Sequence, residues 1–180
     1  IPLRLVGSEM CIRDSSKMVQ ERIKNSFVHA CRYPYAYSDD LELILAKKHG
    51  VDPESIIVTG GSTEGLKITG LTFASNGGEI ISGQPTFLAM MKFAEQWGAS
   101  VNWVPVGADK GYDLDEIEKR ISSKTKLVFL CNPNNPTGTL VPAEKLVDFC
   151  NTASKKTIVF SDEAYYCLLY TSDAADEEDS

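Results

Sequence analysis

An α/β fold built on a mainly parallel sheet is what this sequence predicts, and two observations carry it. Short β-branched or apolar runs alternate with stretches of helical spacing along most of the chain, as in βαβ units with right-handed crossovers. Polar and aromatic groups gather directly after those runs, and the carboxyl ends of parallel strands are where such sheets bind ligands.

Taken in order, residues 16–30 (Ser16 to Ala30) and 39–48 (Asp39 to Lys48) have helical spacing, and Ile56 to Thr59 is a short β-branched run expected as a strand. Thr63 to Ala74 is helical. Strand Glu79 to Ser82, helix Phe87 to Trp97, strand Val101 to Val106 and helix Leu114 to Ile121 come next. Strand Lys126 to Leu130, helix Pro142 to Ala153 and strand Thr157 to Ser161 complete the series. There are no internal repeats and no low-complexity linkers within this span.

The two ends read differently. MCIRDS (Met10 to Ser15) can be encoded by a short DNA element whose reverse complement, in a shifted frame, begins Cys-Leu-Leu-Tyr-Thr, the residues of Cys167 to Thr171. The longer strings VGSEMCIRDS and CLLYTSDAADE resemble translated transposon-end sequencing adaptors. The expected organisation is therefore a non-native segment over 1–15, a domain over 16–166 and a non-native tail over 167–180, with the ends set aside as scars.

Composition changes meaning once the ends are removed. The whole chain has 18 basic and 25 acidic residues, net −7. The ends hold Arg4 and Arg13 against Glu9, Asp14, Asp173, Asp176, Glu177, Glu178 and Asp179, which leaves 16 basic against 18 acidic residues. No basic field for nucleic acid survives that subtraction. The 43% apolar share is that of a globular chain. No apolar run approaches the roughly 18 residues of a membrane span. Cys31, Cys131 and Cys150 show neither CxxC nor Cys/His ligand spacing, a pattern that fits a reducing, cytoplasmic compartment and no structural metal.

The segments directly after the strands carry the chemistry. GGSTEG (Gly60 to Gly65) places two glycines and two hydroxyls where a helix begins, which suits a phosphate held on free amides, although the motif alone reads more simply as an ordinary helix with Ser62 as its N-cap. QPTF puts Phe87 near the same edge, as core or as a platform for a ligand. CNPNNPTG (Cys131 to Gly138) cannot continue its strand, because proline removes a ladder donor and asparagine favours turns. DEAYY (Asp162 to Tyr166) sets a carboxylate right after an apolar strand, an unusual place for charge unless something positive meets it.

GGSTEG, PTF, NPNNPTG and SDEAYY, in that order, resemble the large domain of class I/II aminotransferases, enzymes of pyridoxal 5′-phosphate (PLP) fold type I. RYP (Arg32 to Pro34), with the asparagine-rich turn, is most similar to the histidinol-phosphate aminotransferase branch. The likeness covers nearly all of 16–166, and NPNNPTG followed by DEAYY is its specific pair. The fold it implies is a three-layer α/β/α arrangement, here a partial large domain.

The resemblance also implies roles. Asp162 would meet the pyridine nitrogen and keep it protonated, so that the ring drains electrons from the substrate's α-carbon. Asn135 and Tyr165 would donate to the ring's O3′, Phe87 would stack on the ring, and Gly61, Ser62 and Thr63 would hold the phosphate. Tyr33 would reach the phosphate of a neighbouring subunit in a homodimer. The family's Schiff-base lysine and its substrate-carboxylate arginine lie downstream of the DEAYY aspartate and have no counterpart here. The only S-x-x-K, Ser123 to Lys126, precedes Asn135, the wrong order for that lysine. His29, His49, Glu64 and Glu163 read as solvated or capping groups.

The implied activity of an intact parent is amino transfer between an amino acid, histidinol phosphate or an aromatic amino acid among the candidates, and a 2-oxo acid. The fragment itself is expected to be inactive. The alternatives are a PLP-dependent amino-acid decarboxylase or carbon–sulfur lyase on the same scaffold, or a non-catalytic PLP-binding regulatory domain. Implied partners are small molecules and a second subunit, with neither nucleic acid nor membrane.

Overall fold

A computed structural model describes residues 16–33 and 35–169. The segment expected to be non-native at 1–15, most of the one at 167–180, and Pro34 of the RYP motif lie outside the described residues. The chain divides after Val58 into two compact units.

The first unit is helical. Helix α1 (Lys17–Ser26) starts where the Ser16 hydroxyl accepts from the Val19 N–H at 3.4 Å, as an N-cap does, and passes into a 3₁₀ turn at Phe27–His29. Helix α2 (Tyr35–His49) begins earlier than its apolar spacing indicates. Ala46 is buried, whereas Met18, Ile23, Phe27, Val28, Leu43 and Ile44 are exposed. The run at 56–59, expected as a strand, forms none: Ile56 is extended at φ −109°, but no described strand pairs with the run and Ile57 is 80% exposed. β-branched side chains favour extended backbone, yet a strand exists only where a neighbour takes up its N–H and C=O groups.

The second unit holds a four-stranded, wholly parallel sheet in the order β2-β1-β3-β4, formed by β1 (Glu79–Gln84), β2 (Ser100–Pro105), β3 (Thr125–Cys131) and β4 (Ile158–Asp162). Side chains alternate across it with period 2. Ile80, Leu127, Phe129 and Cys131 face helices α3 (Ser62–Ala74) and α4 (Ala89–Glu95), packing with Leu66, Met90, Met91 and Ala94. Ile81, Val104, Val128 and Leu130 face α5 (Leu114–Arg120) and α6 (Ala143–Ala153), packing with Ile117, Phe149 and Ala153. The result is the expected three-layer α/β/α arrangement. The central strands β1 and β3 are buried on both faces, while the edge strand β4 leaves Ile158 exposed.

Three local departures from the sequence pattern have physical causes. Lys126 occupies a shift in register between β1 and β3, where Glu79 pairs with Thr125 but Ile80 with Leu127. That irregularity turns its side chain out of the sheet, and its ammonium reaches the Ser123 carbonyl at 3.3 Å. Helix α3 is capped by Gly61, not Ser62: Gly61 has φ +90°, and the Glu64 carboxylate accepts from the Gly60 N–H. Strand β1 runs on to Gln84 through Gly83, which looks like a breaker in sequence but is a site of close approach. A Cβ on Gly83 would sit 2.2 Å from the Tyr112 ring. Because that ring is anchored at its hydroxyl, Gly83→Ala is expected to destabilise the second unit by about 2 kcal/mol. An unchanged urea midpoint would show that the ring swings aside freely.

Candidate functional site

The sheet changes direction between β1 and β3, since the chain steps outward from β1 to β2 and then crosses back to β3. Crevices at such switch points, beyond the carboxyl ends of the strands, are where open α/β sheets bind ligands. The QPTF loop leaves β1 on one side of this point and the asparagine-rich turn leaves β3 on the other; peptide bonds Gln84–Pro85, Asn132–Pro133 and Asn135–Pro136 are cis.

The three asparagines of that turn do different things. Asn132 donates its N–H to the Asp162 carbonyl at 2.9 Å and accepts from the Val141 N–H at 2.8 Å, which fastens the turn to β4 and to the chain leading into α6. Asn134 is 3% exposed, and its side chain is fully engaged. Its Oδ1 lies 2.8 Å from the hydroxyls of Thr86 and Tyr112, while its Nδ2 donates to the Pro85 carbonyl at 3.0 Å and to Thr137 Oγ1 at 2.7 Å. Asn134 N–H→Thr139 O at 2.9 Å and Gly138 N–H→Asn134 O at 2.7 Å close the backbone. Asn135, half-buried, donates its amide to the Tyr165 hydroxyl at 3.1 Å.

Asp162 closes β4 beside this turn, paired in register with Cys131, and is 6% exposed. Burial raises its carboxyl above the ordinary carboxylate range; the Ala164 N–H, donating to Oδ1 at 3.2 Å, works against that rise, and the neighbouring Glu163 adds to it. No cationic side chain pairs with Asp162 among the described residues. The site therefore holds a buried carboxylate whose charge has no counter-ion among the described residues. Burial also raises the Cys131 thiol to about 11 and the Tyr112 phenol to about 12, so both are neutral and available only as hydrogen-bonding groups.

Asn135 and Tyr165 are thus joined directly, and Asp162 lies beside the same turn. Phe87 joins them indirectly: it is half-buried against the α3/α4 core and directly follows Thr86, the partner of Asn134. Gly61, Ser62 and Thr63 form the N-terminus of α3, with the amides of Ser62 and Thr63 ahead of the first intrahelical bond. Their hydroxyls make no hydrogen bond among the described residues, and a Cβ on Gly61 would meet nothing within 4 Å. Tyr33 belongs to the first unit, 83% exposed and stacked on Tyr35 at 5.6 Å. Lys126 lies at the amino end of β3, about 20 Å of strand from the turn beyond its carboxyl end. His29 and His49 are exposed, Glu64 caps α3, and Glu163 accepts from the Ser161 hydroxyl at 3.1 Å.

Thr86, Tyr112 and Asn134 were not foreseen as a group. Asn134 carried a signal, because a turn with three asparagines has more amides than one ligand contact needs; Tyr112 carried none. A cavity of about 600 Å³ opens elsewhere, between α5 and α6, and is lined by Asp109, Asp113, Asp115, Glu118 and Asp148 with Lys145. None of Asp162, Asn135 and Tyr165 lines it.

Comparison with known proteins agrees with this geometry. The profile of the family described as aminotransferase class I and II matches residues 9–179. A histidinol-phosphate aminotransferase of Anaeromyxobacter sp. (strain Fw109-5) is 37% identical over 140 residues, which is 76% of this chain and 38% of that protein. The crystal structure of a histidinol-phosphate aminotransferase from Sinorhizobium meliloti, in complex with pyridoxal-5′-phosphate, superposes with TM-score 0.77 at 24% identity over 83% of this chain and 41% of that one. An Erwinia carotovora atroseptica protein described in the same terms superposes with TM-score 0.75 at 27% identity over 81% of this chain and 43% of that one. The chain thus spans about two fifths of the length of the relatives it matches. With the motif order, the switch-point turn and a family match running through nearly all of the chain, the chain belongs to the class I and II aminotransferases.

Proposed function

We propose that this chain is the cofactor-holding portion of a PLP-dependent aminotransferase, homodimeric and cytoplasmic as a whole protein, with residues 16–166 its native part. The observation that carries the reading is Asp162, a buried carboxylate without a counter-ion among the described residues, set beside an amide–hydroxyl pair at a sheet switch point. The residues fit the cofactor: a protonated ring nitrogen is the missing cation, and the open amides and hydroxyls at Gly61, Ser62 and Thr63 suit a phosphate.

When bound, PLP supplies an electron sink for the electron pair left on an amino acid's α-carbon. Asp162 keeps the ring nitrogen protonated. The Asn135 amide and the Tyr165 hydroxyl donate to the ring's phenolic oxygen, and Phe87 covers one ring face and excludes water from it. Tyr33 serves the phosphate of a second subunit. The whole protein would move an amino group between an amino acid and a 2-oxo acid. Curated relatives named for histidinol phosphate favour that donor, with an aromatic amino acid as the second choice. They do not favour a decarboxylase, a lyase or a regulatory domain.

Pyridoxamine 5′-phosphate tests the reading on the 180-residue chain, because it is retained without a lysine bond. Saturable binding that depends on Asp162 is expected, without amino transfer above the rate of the free cofactor. Absence of binding by a folded chain overturns the cofactor reading, and measurable amino transfer overturns the inactivity. The expected organisation has its own test: sequencing the source DNA should replace the codons of Val6 to Ser15 and Cys167 to Ser180, and finding them unchanged would refute the scars.

A further inference from the structure

Three oxygens meet at one point beneath the site. Tyr112 OH lies 2.7 Å from Thr86 Oγ1, and each of these lies 2.8 Å from Asn134 Oδ1. The Asn134 amide cannot turn over without cost, because the Pro85 carbonyl accepts from its Nδ2 and has to be supplied with a donor. Two hydroxyl protons therefore serve three close oxygen–oxygen contacts. The Tyr112 oxygen accepts a further hydrogen bond from the Cys131 N–H at 3.1 Å, at the last residue of β3. Its ring lies against Gly83 in β1, so the hydroxyl enters from a third loop and touches both arms of the switch point.

Two of the residues assigned to the cofactor ring each sit one position beyond a member of this triangle. Phe87 follows Thr86 and Asn135 follows Asn134, about 3.8 Å of chain in each case. The triangle thus sets the separation of the loop carrying the aromatic face from the loop carrying the amide.

Resting on the cofactor reading above, we propose that Tyr112 is a positioning residue: through Thr86 and Asn134 its hydroxyl fixes the spacing between the Phe87 ring and the Asn135 amide, and so the fit of the pyridine ring. Tyr112→Phe keeps the ring over Gly83 and removes the hydroxyl alone. Thr86→Val keeps the shape and removes the second hydroxyl, while Thr86→Ser restores it.

The test is titration of the full 180-residue chain and its variants with pyridoxamine 5′-phosphate, reading affinity and the absorbance band of the bound ring, with near-ultraviolet circular dichroism as a check on folding. Tyr112→Phe and Thr86→Val are expected to weaken binding about ten-fold and to shift the bound band, whereas Thr86→Ser stays within about two-fold of the parent. If Tyr112→Phe does not fold, the Thr86 pair decides alone. Tyr112→Phe, or in its absence Thr86→Val, binding with parental affinity and an unshifted band overturns the positioning role and leaves the cofactor reading standing. A folded parent chain that does not bind overturns both, so the two failures are distinguishable.

Discussion

Asp162→Asn is expected to move function and stability in opposite directions. Without a cation, Asp162 is a buried carboxyl whose pKa in the folded chain is raised, mainly by desolvation. Between the ordinary carboxylate pKa and that raised value, the folded state binds more protons than the unfolded state, so stability falls as pH rises through the window. The deficit is complete above the folded pKa. Asparagine keeps an acceptor for the Ala164 N–H and removes the charge. The cofactor-free variant should therefore melt above the parent at a pH above that window, and the gap should close on acidification below the ordinary carboxylate range.

In a chain extended to the family's length the sign reverses. On the proposed cofactor reading the carboxylate would face a protonated ring nitrogen there, and its loss is expected to remove several kcal/mol of transition-state stabilisation, a factor on the order of a hundred to a thousand in rate. Asn135→Ala, by contrast, gives up one neutral hydrogen bond, worth about 0.5–1.5 kcal/mol. Single-turnover kinetics with cofactor retention checked by absorbance would separate the two. Near-parental turnover by Asp162→Asn with cofactor bound would remove Asp162 from its assigned place, and equal melting of the two cofactor-free chains would show that the carboxylate is not destabilising. Stability given up at a site for the sake of its ligand is a common arrangement in enzymes.

Local physics decides which features were legible in the sequence. The alternation of apolar runs with helical stretches located all four strands of the sheet, most plainly the central ones, where burial on both faces demands nearly uninterrupted apolar residues, as in Leu127 to Leu130. Element ends were less legible. Gly83 reads as a terminator only if the Tyr112 ring above it is unknown, and Lys126 reads as a strand residue only if the register shift is unknown. The run at 56–59 failed as a strand because pairing is a tertiary property that β-branched composition does not contain. In the candidate site, the polar groups directly after strands were found, since a charge or an amide there violates the apolar pattern. The tie between Thr86, Tyr112 and Asn134 spans 48 residues and leaves no periodic trace.

Asn134→Ala is expected to be the most destabilising single change in the turn, at about 3 kcal/mol, although Asn135 is the asparagine that the motif draws attention to. Asn134 is buried with both side-chain atoms fully used, and alanine leaves the Pro85 carbonyl and the Thr137 hydroxyl without the amide that serves them. Thr86 and Tyr112 can still bond each other, which spares part of the cost. The Thr137 hydroxyl still bonds the Thr139 hydroxyl, so the Pro85 carbonyl is the group left without a donor, at a desolvation penalty of about 1–3 kcal/mol unless water enters, added to the packing lost with the side chain. The turn also loses its link to the loop after β1, so the two arms of the switch point are no longer held by side chains from both. Asn135→Ala removes one bond to a half-exposed hydroxyl and should cost less than about 1 kcal/mol of stability. Urea unfolding of both variants of the 180-residue chain, with Thr86→Val as a third, gives the ranking. The expected order of loss is Asn134→Ala, then Thr86→Val, then Asn135→Ala. If Asn135→Ala proves the more damaging to the cofactor-free fold, the turn is held by its outer amide, and the division of labour among its three asparagines is wrong.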